Sequence, residues 1–262
     1  MRHITHKTVS TLFFAALLSV PAFADTASER GPANPGTVNY VEGQVSVGNQ
    51  TVGPNTEGTV VLAPEQSVTT QKGKAEILLT PGVFLRVGDN SSVKMISPNL
   101  TNTEVEVDRG EAIVEVAEIH PENSIRVDDD GAITQLQKTG LYDFDADHAQ
   151  VRVLDGQAMV EATDRRIKVK SGHEVKLNVS KFKEERLNEA AYQTDDLYRW
   201  SSLRSSYVAE ANIDVAPRYD GADGGWYGYA WAGSGWYWDP WFGTYTFIPG
   251  DGIFYSPFGW GF

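Results

Sequence analysis

Apolar and polar residues alternate in short runs along much of this chain, and turn-forming residues separate the runs. Val45-Ser-Val47, Val83-Phe-Leu-Arg-Val87, Val105-Glu-Val107, Ile125-Arg-Val127, Val151-Arg-Val153 and Ile167-Lys-Val169 each turn one face to a core and one to water. That is the period of a β-strand. Thr59–Leu62 and Ala75–Leu79 add further β-type runs, and Pro81-Gly82, Gly88-Asp89-Asn90, Ser97-Pro98-Asn99 and Asp128–Gly131 lie between strands as turns. From Val38 to about Val179 such runs recur roughly every ten residues, the cadence of an all-β domain. Three segments echo one another around a glycine: Val38–Val47 about Gly43, Val105–Val114 about Gly110, and Val151–Val160 about Gly156. Each predicts a hairpin turning at its glycine. The glycines are 67 and 46 residues apart, so the echo suggests stacked similar layers without a strict short repeat.

The pattern changes beyond residue 180. Lys181–Ala191 is highly charged and rich in helix formers. Leu197, Trp200, Leu203 and Tyr207 then fall on one face of a helix, which is expected to dock on the β domain. Thr194 or Asp195 supplies its cap. The expected fold class is therefore all-β: a stacked short-strand β domain of solenoid or sandwich type, one amphipathic helix, and an aromatic Gly-rich tail. The boundaries read as 1–24 (export signal), 25–37 (flexible linker), 38–180 (β domain), 181–213 (helical segment) and 214–262 (tail).

Six of the seven Trp fall in residues 219–262, with four Asp and no Lys or Arg. Aromatic rings stack on sugar faces and dominate binding hot spots, which makes Trp226, Tyr227, Tyr229, Trp231, Trp236, Tyr237, Trp238 and Trp241 candidate ligand-binding residues. The competing expectation is that these rings fold inward and cap the β domain, because a large exposed aromatic patch is costly. The ending Phe258-Gly-Trp260-Gly-Phe262 is similar to the terminal signal of outer-membrane barrels, but no series of alternating lipid-facing strands precedes it.

At the other end, Arg2 and Lys7 form a positive start ahead of an apolar run from Val9 to Val20. Pro21 breaks the run, and Ala22-Phe23-Ala24 offers a cleavage site. This is the pattern of a secretory signal removed after Ala24. Its loss takes the net charge from −13 to −15, since it holds two basic residues and no acid. No membrane span is expected afterwards, and so acidic a chain is a poor partner for nucleic acid. The absence of Cys excludes disulfides and thiolate chemistry.

No catalytic set stands out. His120, His148 and His173 are far apart, and no nucleophile elbow or phosphate-binding glycine loop is present. Asp128–Gly131 and the alternating Asp143, Asp145 and Asp147 are candidate calcium ligands by composition. Both read better as an acidic turn and a solvated strand face. No metal and no cofactor are expected.

The ordered motifs Val41–Val45, Gln66–Thr70, Gly73–Leu79, Pro81–Val87, Ser91–Met95, Gly110, Gly140–Phe144, Val151–Val160 and Val169–Val175 resemble the FecR-like domain of bacterial envelope proteins. The resemblance implies an all-β fold of stacked short strands and no enzyme activity. Known members place a cytoplasmic anti-sigma segment and a membrane helix ahead of the domain, whereas here it follows the export signal. The expected function is a non-enzymatic exported envelope protein, periplasmic or extracellular, that binds an envelope polysaccharide or envelope protein. The alternatives are an assembly protein whose tail is core, a periplasmic sensor component of a FecR-type signalling system, and a hydrolase built on scattered acids.

Overall fold

A computed structural model describes residues 30–162, 164–178, 182–219, 234–249 and 255–261. The export signal and the candidates Trp226, Tyr227, Tyr229 and Trp231 lie outside the described residues.

The alternating runs form β1 (Val38–Val47), β2 (Gln50–Val52), β3 (Ser67–Leu78), β4 (Val83–Val87), β5 (Ser92–Asn99), β6 (Asn102–Arg109), β7 (Glu111–Val116), β8 (Ser124–Asp129) and β9 (Ala132–Leu136). They continue as β10 (Gly140–Asp145), β11 (Gln150–Asp155), β12 (Gln157–Ala162), β13 (Arg165–Lys170), β14 (His173–Lys176) and β15 (Glu184–Arg186). All fifteen belong to one sheet, whose main path runs β13-β12-β9-β8-β6-β5-β3-β4-β7-β10-β11-β14-β15. Strand β3 is the hinge between two halves: Ser67–Thr69 pairs with β5, and Ala75–Leu78 pairs with β4. Strand β1 runs along β3 across this hinge. The halves close face to face. Val93, Val105, Val127 and Val160 from one half share a core with Leu85, Val114, Phe144 and Val151 from the other. The chain is all-β up to this point, as its alternation predicts. Strands β13 and β14 are joined by Ser171-Gly172 yet lie near opposite ends of the path, so the sheet nearly closes on itself.

The glycine echo has a different meaning from the one expected. A hairpin would leave its two arms paired as neighbours. Instead β6 pairs with β5 and β8, while β7 pairs with β4 and β10. Gly110 is thus a corner where the chain passes from one half of the sandwich to the other. Gly156 does the same between β11 and β12. Gly43 lies inside β1 at a bulge. At Gly110 φ is +74°, and an added Cβ would stand 2.2 Å from Ser91 Oγ. Left-handed backbone and close approach together require glycine there.

Helix α1 (Glu189–Tyr192) and helix α2 (Asp196–Tyr219) follow, then a hairpin of β16 (Gly235–Asp239) and β17 (Thr244–Ile248). Asp195 is the α2 cap, its Oδ1 accepting the Tyr198 N–H at 2.7 Å. The helix docks, but on a face rotated from the expected stripe. Leu197 and Trp200 are buried, whereas Leu203 and Tyr207 are 54% and 45% exposed. The buried face continues through Ser201, Arg204, Ser205, Val208 and Asn212. Its polar half answers charges on the sheet below, which apolar periodicity does not register. Ahead of β1, the lead-in is fastened from Arg30 onward: the guanidinium stacks on Trp238, and the Gly31 carbonyl accepts the Tyr245 hydroxyl at 2.9 Å.

Candidate functional site

On the outer face of β3, β4 and β7, Glu76, Arg86 and Glu115 are fully buried. Arg86 donates from Nε to Glu76 Oε2 at 2.9 Å and pairs through Nη1 with Glu115. Helix α2 lowers Arg204 onto Glu76 Oε1 at 2.9 Å, and the Ser205 hydroxyl donates to Glu115 Oε1 at 2.9 Å. Two carboxylates thus meet two guanidiniums with no net charge. Burial opposes ionisation of Glu76, but Arg204 and Arg86 overcome it and hold its pKa down at about 2. Asn39 ties the hairpin into this network. Its amide donates to Glu76 and to the Tyr245 carbonyl, and its Oδ1 accepts the Tyr245 N–H at 2.7 Å.

The hairpin divides the candidate aromatics by role. Trp236 is buried, edge-on to Phe84 and Phe247 with ring centroids 4.8 and 5.8 Å apart. Trp238 is partly buried, packed on Tyr245 and under Arg30, and Tyr237 is partly exposed. Trp241 stands at the hairpin tip, 85% exposed. The tip is built rather than loose: the buried Asp239 carboxylate accepts the N–H groups of Trp241 at 2.7 Å and Phe242 at 3.2 Å. Among the described candidates, one is therefore core, two flank the packing, and one is presented to solvent. Beyond the hairpin, Tyr255 and Trp260 add exposed rings beside α2, to which Phe258 packs through Tyr198.

A second charged cluster lies on β7, β10 and β11. Arg152 reaches Glu111 at 3.0 Å and Asp145 at 2.8 Å, and also pairs with Asp143. Burial pushes the Asp143 carboxyl well up and raises Glu111, while Arg152 works against both shifts. Asp143 and Asp145 are therefore held by an internal cation, and Asp147 accepts the Gly110 N–H at 3.0 Å. The three do not converge as ligands. His148 bonds Asp145, His173 lies near Glu184, and His120 near Glu118. No group of three or more His, Cys, Asp or Glu side chains among the described residues is arranged to hold a metal ion. No described helix is long and apolar enough to cross a membrane.

The family model described as "FecR protein" matches residues 65–159. The chain carries a FecR domain. The match spans β3 to β12, so Glu76, Arg86 and Glu115 belong to the FecR domain, while Arg204, Ser205 and the hairpin come from outside it. No curated protein matches the chain. Two crystal structures of a candidate anti-sigma factor from Parabacteroides distasonis ATCC 8503 align at 12% identity and a TM-score of 0.41 each. The alignments cover 48% of this chain and 64% and 61% of those chains, less than two thirds of their length. The motif order in the sequence located the FecR domain. The ionic network under α2 was missed, although Glu76, Arg86 and Glu115 interrupt otherwise apolar runs and carry that signal.

Proposed function

We propose that this is a non-enzymatic, exported protein of the cell envelope, in which the FecR domain supports a C-terminal hairpin that binds an envelope polysaccharide. The observation that carries this reading is Trp241, exposed on a turn organised by the buried Asp239. With the backbone of the turn already ordered, less entropy is lost when a sugar face stacks on the ring. Sedimentation with insoluble peptidoglycan is the test. Trp241→Ala is expected to weaken binding about tenfold or more, the scale of a hot-spot aromatic. Unchanged binding would remove the hairpin from the function, and release of soluble fragments from the polymer would make the protein an enzyme.

The second reading is a periplasmic sensor component of a FecR-type signalling system, supported by the family match over residues 65–159. It calls for a protein partner. A retained envelope protein complex that survives Trp241→Ala and polysaccharide removal would favour it.

A further inference from the structure

The sheet path ends on β13, at the seam where the sandwich nearly closes, and among the described strands β13 pairs with β12 alone. The Ser171 N–H donates to the Gly156 carbonyl at 3.1 Å, one step beyond the Gln157–Lys170 pair, which fixes the alternation of the ladder. Arg165, Ile167 and Val169 therefore face β12 with their main-chain groups, and Arg166, Lys168 and Lys170 point theirs away from it. At Lys170 the direction is visible: its N–H is met by the Glu184 carboxylate of β15 at 3.2 Å. The N–H and C=O groups of Arg166 and Lys168 have no partner among the described residues. Side chains alternate along the same edge. Ile167 on β13 is only partly buried against the core, as are Leu177 after β14 and Phe182 before β15, so the seam is apolar inside. Arg166, Lys168 and Lys170 turn outward at a spacing of about 6.7 Å. Residues 165–170 hold four cations and no acid, in a chain of net charge −13. Arg166 lies 3.7 Å from Glu161, but both side chains are 60% exposed and such a pair is weak. Lys168 and Lys170 make no ion pair with a described residue.

We propose that the free edge of β13 is the docking site for an extended acidic segment of a protein partner, which adds a strand to the sheet. Three features of the edge select that occupant. Its open main-chain groups pair with another main chain. Alternate residues of an added strand repeat at the same ~6.7 Å, so acids at every second position meet Arg166, Lys168 and Lys170. The residues between those acids point inward, where apolar side chains extend the core beside Ile167. A second copy offering its own β13 sets cation against cation, the device by which edges avoid self-pairing. An anionic polymer answers the charges but leaves the main-chain groups and the apolar seam unmatched. The site uses no residue of the hairpin, so it stands or falls separately from polysaccharide binding at Trp241.

The probe is an end-capped peptide of alternating Glu and Val, about eight residues long. Added to the full chain at low salt, it is expected to bind and to slow hydrogen exchange at the Arg166 and Lys168 amides. An added strand uses one of its two edges. Methylating either the Glu amides or the Val amides of the peptide should therefore weaken binding at least about tenfold in one case and spare it in the other. Arg166→Glu with Lys168→Glu, both at exposed positions, should lose the acidic peptide and bind one of alternating Lys and Val instead. Dextran sulfate, which carries charge without a peptide backbone, should leave both amides exchanging freely. Absence of binding, binding without protection of those two amides, binding indifferent to methylation in both frames, or equal protection by dextran sulfate would overturn the proposal.

Discussion

Asp129 lies on the inward face of β8 in line with Ile125 and Val127, and neither carboxylate oxygen has a hydrogen-bond partner among the described residues. Burial, with repulsion from Asp130, Asp145 and Asp128, pushes its pKa up to about 7. The unfolded chain releases this proton near pH 4, and the folded chain holds it until about pH 7. Stability therefore falls as pH rises through that window, by on the order of 2–4 kcal/mol. Asp129→Asn removes the titration while keeping the shape. Thermal melts should show the variant gaining on the wild type between pH 5 and pH 8; a constant gap across that range would contradict the assignment. The sequence placed Asp129 in an acidic turn, because Asp128–Gly131 has turn composition. The i, i+2 alternation with Ile125 and Val127 was also present, and it points the side chain inward. Turn chemistry and strand period compete at such positions, and here the strand runs two residues, Asp128 and Asp129, into the turn signal.

At the scale of elements, α2 and the hairpin act as one unit clamped to the FecR domain by charge and aromatic packing together. Removing Arg204 strands part of the charge of Glu76 in a dry interface and removes a guanidinium stacked 3.9 Å from the centre of the Tyr40 ring. Breaking one side of a buried pair costs about 3–5 kcal/mol. Arg204→Met is expected to lose stability on that scale in urea melts, and combining it with Glu76→Gln should recover part of the loss. If the two substitutions simply add, the pair is not coupled as drawn. Truncation after Tyr219 removes Trp236, Tyr245 and Phe247, which cover Phe84, Leu78 and Val208. It should therefore lower the melting temperature strongly, while Trp241→Ala leaves it unchanged. The strands and the existence of α2 were legible because their apolar periods are regular. The docked face of α2 was not, since Ser201, Arg204 and Ser205 look solvent-facing until Glu76 and Glu115 are placed beneath them. The corners at Gly110 and Gly156 share a local sequence with hairpins, and only the pairing partners of the flanking strands tell the two apart.

For the whole molecule these groups act in opposite directions with pH, and together they fix where it is most stable. Glu76, held at about 2 by Arg204 and Arg86, stabilises the fold above its unfolded value near 4 and loses that contribution as pH falls toward 2. Asp129 works the other way between pH 4 and 7, and the upward shifts of Asp143, Glu111, Glu57 and Asp128 have the same sign as Asp129. The net charge of −13 adds self-repulsion that also grows as carboxylates ionise. Stability should accordingly rise steeply from pH 2 to about 4, peak near pH 4–5, and decline toward neutrality, an optimum on the acid side of the usual range. Urea unfolding followed by circular dichroism at unit steps from pH 3 to 8 measures this curve. Glu76→Gln should flatten its acid limb and Asp129→Asn its neutral limb, each leaving the other limb in place. A wild-type maximum at pH 7 or above would mean that the buried acids keep partners in solution that the interior of the sandwich does not supply.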